Sequence, residues 1–116
     1  MSITLYHNPR CSKSRQTLQL LQERGVEPDQ VLYLDSPPSV TELRELLRKL
    51  GMAPRQLLRK GEEAYKTLSL ADESLSDSAL LKAMSENPKL IERPIVVKDD
   101  KAVLGRPPEN ALELLA

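Results

Sequence analysis

Three side chains able to handle a thiol's chemistry stand together near the start of the sequence, in "HNPRCSKSR" (His7 to Arg15). Cys11 is the only cysteine of the chain and His7 the only histidine. Ser14 follows three residues after the cysteine, where a two-thiol redox protein would carry its second sulfur. The pattern is therefore Cys-x-x-Ser. A thiolate here can attack, and a hydroxyl at position 14 can support it, but no second thiol in the chain can resolve the product. Arg10, Lys13 and Arg15 bring positive charge to the same stretch. Two soft ligands, His7 and Cys11, are too few for zinc, which takes three or four, so no metal site is expected.

What would make the sulfur reactive is its place between two elements. "ITLY" (Ile3 to Tyr6) reads as a short strand. From about Ser12 to Arg24 the composition is helical, with Leu18 and Leu21 on one face and Gly25 as the stop signal. Cys11 then sits in the turn that opens the helix. The first N–H groups of a helix have no internal partner, and together they carry roughly half a positive charge. Both effects favour thiolate over thiol and lower a cysteine pKa from about 8.5. A lone cysteine is more often a small buried residue. A lone histidine at a strand end is often just hydrogen-bonded. It is the joint placement that singles out Cys11.

The remaining elements follow from periodicity and punctuation. "VLYL" (Val31 to Leu34) reads as a second strand and "DSPPS" as a loop. Ser39 and Glu42 form a capping box ahead of a helix with Leu43, Leu46, Leu47 and Leu50 on one face, ending at Gly51. Residues 54–86 read as several short helices, with Ser76 a candidate N-cap. "PIVV" and "AVLG" are strands joined through "KDDK" as a hairpin. "RPPENALELLA" is read as a short amphipathic helix entered through prolines. The order is β-α-β, a helical stretch, then β-β-α. A β-α-β unit makes two parallel neighbours, and the hairpin adds antiparallel strands. The expected fold is α/β and thioredoxin-like: a mixed four-stranded sheet with a helical insert between its halves, one domain over 1–116 with the insert at about 39–90.

Composition narrows the function. With 17 basic and 17 acidic residues the net charge is zero, and there are three Tyr but no Trp or Phe. Neither the charge excess nor the stacking surface of a nucleic-acid binder is present. No apolar run approaches a membrane span. No signal peptide is visible at the N-terminus, and a single cysteine makes no internal disulfide, so a cytoplasmic, reducing location is expected.

"HNPRCSKSR" closely resembles the active-site motif of glutaredoxin-coupled arsenate reductases, which have a thioredoxin-like fold. Three further stretches fall in order where that family has arginines: "LLRKGEEAYK" with Arg59, "IERPIVV" with Arg93 and "LGRPPENALELL" with Arg106. The resemblance spans essentially the whole chain and is nearest to the family's shorter chromosomal members. It implies that Cys11 is the nucleophile and that Arg59, Arg93 and Arg106 bind the oxyanion. It implies that His7 and Ser14 tune the thiolate, and that Pro94 matches a proline kept cis opposite the cysteine. Arsenate would be the substrate, glutathione the co-substrate and glutaredoxin the protein partner, with no bound cofactor. Two other readings share parts of the pattern. Spx-type regulators, which bind RNA polymerase, have the same fold but usually carry Cys-x-x-Cys, against Ser14 here. Monothiol glutaredoxins have Gly-Phe after the cysteine, where this chain has Ser12-Lys13.

Overall fold

The structure is a computed structural model, and it describes residues 2–115. Two compact units divide the chain: one comprises the residues up to Ser36 together with Arg93 onward, the other Pro37–Glu92.

The first unit is built on a four-stranded sheet in the order β2-β1-β3-β4, with β1 at Ile3–Tyr6, β2 at Asp29–Val31, β3 at Ile95–Lys98 and β4 at Lys101–Leu104. β1 runs parallel to β2 and antiparallel to β3, and β4 returns antiparallel to β3. The mixed sheet is the expected one. Helix α1 (Ser12–Glu23) makes the crossover from β1 to β2. Ile3, Leu5, Leu21, Val96, Ala111 and Leu114 form the buried core, where strand, helix and C-terminal segment meet. Burying each of the larger of these side chains stabilises the unit by about 2 kcal/mol.

Two expectations are corrected here. The strand expected at Val31 to Leu34 lies at Asp29–Val31 instead. Its register pairs Thr4 with Asp29, Leu5 with Gln30 and Tyr6 with Val31, so the ladder runs out where β1 does. At Leu32 the chain turns, its carbonyl accepting from the Asp35 and Ser36 N–H groups at 3.0 and 2.9 Å. Leu32 is exposed and Tyr33 buried, so Tyr33 is the residue of the pair that packs inward. The final helix is a 3₁₀ segment, Pro108–Leu115. Pro108, Ala111 and Leu114 are its buried residues, a spacing of three that suits three residues per turn. The hairpin forms as expected, with Asp99 at φ +56° in its two-residue loop, a left-handed conformation that Asp tolerates better than most residues.

In the second unit, α2 (Val40–Leu50) buries Leu43, Leu46 and Leu47, while Leu50 is half-buried. The Ser39 side chain accepts from the Glu42 N–H, and Gly51 closes the helix in the left-handed region at φ +68°. α3 (Pro54–Leu57), α4 (Glu63–Thr67) and α5 (Asp77–Glu86) follow. α5 is capped by Ser76, whose side chain accepts from Ala79, and it packs on α2 and α3. Among the described residues no helix is long and apolar enough to cross a membrane.

Candidate active site

Sheet register decides which residues share the end of the sheet where Cys11 lies. Tyr6 pairs with Ile95, and Ile95 with Leu104. His7, Pro94 and Gly105 are the next residues beyond that row, and the Gly105 N–H donates to the Pro94 carbonyl at 2.9 Å. The Cys11 loop leaves from the first, Arg93 adjoins the second, and Arg106 adjoins the third. The Arg93–Pro94 and Arg106–Pro107 peptide bonds are both cis.

The loop itself is folded by its own backbone and short side chains. Asn8 Oδ1 accepts from the Arg10 N–H at 3.0 Å, a turn for which Asn before Pro is well suited. The Asn8 carbonyl accepts from the Cys11 N–H at 3.0 Å, and the Cys11 carbonyl from the Arg15 N–H at 3.0 Å. Cys11 is thus the N-cap of α1, in extended conformation and half-buried. Burial pushes its thiol up, but the opposing influences are together larger. These are the Ser14 N–H, the charge of Arg93, the Lys13 N–H and a hydrogen bond from the Arg93 side chain. The outcome is a thiol that titrates below its ordinary value.

Beneath the loop, His7 Nδ1 and Ser14 Oγ are 2.6 Å apart and buried, and Ser14 Oγ also accepts from the Asn8 N–H at 3.0 Å. Residue 14 reaches Cys11 through its backbone N–H, while its hydroxyl ties the loop to His7. Burial, then the nearby charge of Arg15, lowers the pKa of His7, so the imidazole is neutral around pH 7. Arg15 is held by the Pro9 carbonyl at 2.9 Å. Arg106 is exposed, its Nη1 donating to the Arg93 carbonyl at 3.4 Å. The structure therefore gathers Cys11, His7, Ser14, Arg93, Pro94 and Arg106 at one end of the sheet.

Arg59 belongs to the helical unit. Its guanidinium faces Glu62 at 3.4 Å and Glu92 at 3.8 Å and reaches the Lys89 carbonyl at 3.3 Å. These carboxylates did not emerge from sequence reading, although Glu62 is only three residues away. Nor did Thr17 and Gly105, which pack together beside Pro94 from opposite parts of the chain. Among the described residues no group of three or more His, Cys, Asp or Glu is placed to hold a metal ion.

Together, the sheet order, the crossover helix and a cysteine at that helix's start define a thioredoxin-like α/β protein with its one thiol beside arginine. The chain belongs to the ArsC family, whose model matches residues 6–114. It is 59% identical over 114 residues to the Escherichia coli protein YfgD, covering 97% of this chain and 96% of that one. It is 52% identical over 116 residues to a Haemophilus influenzae arsenate reductase, covering 99% and 100% of the two chains. Among solved structures, an arsenate reductase from Vibrio cholerae superposes with a TM-score of 0.96 at 54% identity, over 98% of each chain.

Proposed function

We propose that this chain reduces arsenate to arsenite, with Cys11 as nucleophile and with glutathione and glutaredoxin as outside reductants. The observation that carries the reading is the Cys11 thiol, lowered in pKa at the start of α1 with the Arg93 guanidinium against it. Relatives named arsenate reductase support the substrate.

A thiolate meeting an arsenate anion brings like charges together. Guanidinium groups offset that repulsion and hold oxygens through planar, charge-assisted pairs. Arg93 and Arg106 have that role in this reading, and Arg59 has the oxyanion-binding role implied by its motif. In the first step the Cys11 sulfur bonds to arsenic, and one oxygen leaves as water after protonation. Arsenic remains pentavalent. A glutathione thiolate then attacks the Cys11 sulfur. The S–S bond forms as the S–As bond breaks, and the electron pair stays on arsenic, which leaves as trivalent arsenite. Glutaredoxin takes the glutathionyl group and frees the Cys11 thiolate. Two thiols have supplied the two electrons. In this reading the chain is a single thioredoxin-like domain, with the helical stretch at about 39–90 as its insert.

The test is arsenite formation by the purified chain supplied with arsenate, glutathione and glutaredoxin. Wild type should turn over and Cys11→Ser should not. Omitting glutaredoxin should stop the reaction at the glutathionyl adduct. Failure of wild type to form arsenite overturns the proposal.

A further inference from the structure

Helix α1 and the residue that follows β4 approach closely beside the site. Gly105 is buried, and its φ is not in the left-handed region, so space rather than conformation demands a glycine. A Cβ placed there would lie 2.5 Å from Thr17 Oγ1, 3.1 Å from Thr17 Cγ2 and 2.7 Å from Pro94 Cγ. Contacts this short have no room for even one methyl group. Thr17 is wholly buried. Its hydroxyl donates to the Lys13 carbonyl at 2.8 Å and lies 3.4 Å from the Gly105 carbonyl. On one side of this contact is the turn of α1 that begins at Cys11. On the other are the two strand ends that carry Arg93 and Arg106.

We propose that Thr17 and Gly105 are positioning residues: their contact sets how near the Arg93–Pro94 and Gly105–Arg106 segments come to the Cys11 sulfur. Each acts through a neighbour, Gly105 through Arg106 and through its hydrogen bond to the Pro94 carbonyl, and Thr17 through the first turn of α1. Enlarging residue 105 pushes the arginine-bearing segments outward. Shrinking residue 17 lets them drift. Because guanidinium–oxyanion pairing is directional, a displacement of about 1 Å is expected to cost on the order of a hundredfold in rate.

This inference deepens the arsenate reading, and its test has one readout that does not need arsenate. The pH midpoint of Cys11 thiolate formation, followed by ultraviolet absorbance, responds to the Ser14 and Lys13 N–H groups at the start of α1 and to how near Arg93 sits to the sulfur. Of the side chains on this unit, Arg93 acts on the sulfur, while the Arg15 guanidinium is held by the Pro9 carbonyl and the neutral His7 faces Ser14. Gly105→Ala should raise that midpoint and raise KM for arsenate more than tenfold. Thr17→Ala, which removes volume and cannot fail by overpacking, should raise KM several-fold. The double variant Gly105→Ala/Thr17→Ala should recover part of what Gly105→Ala loses, because the contacts with Thr17 Oγ1 and Cγ2 vanish while the one with Pro94 Cγ remains. A merely structural role would lower the melting temperature and leave the thiolate midpoint and KM of the folded protein at wild-type values. That result overturns the inference. If wild type makes no arsenite but Gly105→Ala still moves the midpoint, the positioning role stands and the substrate assignment falls. If Gly105→Ala does not fold, an unchanged midpoint and KM in Thr17→Ala overturns the inference.

Discussion

Two titrating side chains, Cys11 and His7, respond oppositely to the same crowded loop. Both are partly removed from water, and burial alone would keep each neutral. For Cys11 the N–H groups of Ser14 and Lys13 and the Arg93 guanidinium outweigh burial, and the anion is favoured. For His7 the charge of Arg15 adds to burial, and the cation is disfavoured. The Cys11 thiolate should therefore form with a midpoint below that of an ordinary free thiol. Arg93→Ala should raise that midpoint and slow iodoacetamide alkylation at neutral pH. Arg93→Lys should restore part of the midpoint shift but little of the arsenate turnover, since an ammonium lacks the planar two-point contact. His7 gives a stability prediction whose sign is fixed. Its folded pKa lies below its unfolded value of about 6.5, so below that pH the unfolded chain takes up a proton that the folded chain resists. Its contribution is fully present above about pH 6.5 and is lost as pH falls through that value toward the folded pKa. Urea denaturation across pH 5 to 7 should show this decline, and His7→Gln should flatten it. Glu45 and Asp72, whose carboxyls are held below their ordinary values by hydrogen bonds from Arg48 and Ser74, act only at lower pH.

Elements formed by short-range pattern were legible in the sequence, and those fixed by distant partners were not. α2 was readable because each of its determinants is local: the Ser39 cap, the leucine spacing, the Gly51 stop. Their worth is measurable. Ser39→Ala or Ser76→Ala should each lower the free energy of unfolding by about 1 kcal/mol in urea titrations. Gly51→Ala should cost a similar amount, because φ +68° strains a residue with a Cβ. β2 departs from the expected span because propensity locates apolar β-formers, whereas the strand ends where β1 ceases to offer partners. The amphipathic composition of the C-terminal segment predicts a helix. Its 3₁₀ form comes from burying every third residue on the core, a constraint set by Ile3, Leu21 and Val96. The site divides in the same way. Cys11 and Ser14 are three residues apart at a helix start and were legible from spacing, whereas the role of His7 rested on the family motif. Arg93 and Arg106 needed a family motif, because an arginine outside its three-dimensional setting is indistinguishable from a surface charge. The Thr17–Gly105 contact spans 88 residues of sequence and left no local mark.

At the scale of the molecule, one cysteine in a chain of zero net charge constrains the redox cycle more than any single distance does. A thiolate that attacks must pass its new bond to something, and here no second thiol in the chain can receive it. Oxidation cannot close a ring within one chain, so oxidised glutathione should add one glutathione per chain, at Cys11, reversibly. Arsenate with reduced glutathione should lead to the same adduct by a different route, through the S–As bond. The adduct should then accumulate without glutaredoxin and disappear when it is added. Intact-chain mass spectrometry distinguishes these states directly, with Cys11→Ser as the blank. A regulator of RNA polymerase with this fold would behave otherwise. It would need neither arsenate nor glutaredoxin and would hold its partner equally well as Cys11→Ala. A polymerase pull-down beside the mass measurement therefore separates the two readings. Tight polymerase capture with no arsenate-dependent adduct would overturn the reductase reading. An adduct that requires arsenate, clears with glutaredoxin and is absent from Cys11→Ser would match a nucleophile that depends on outside thiols for every turnover.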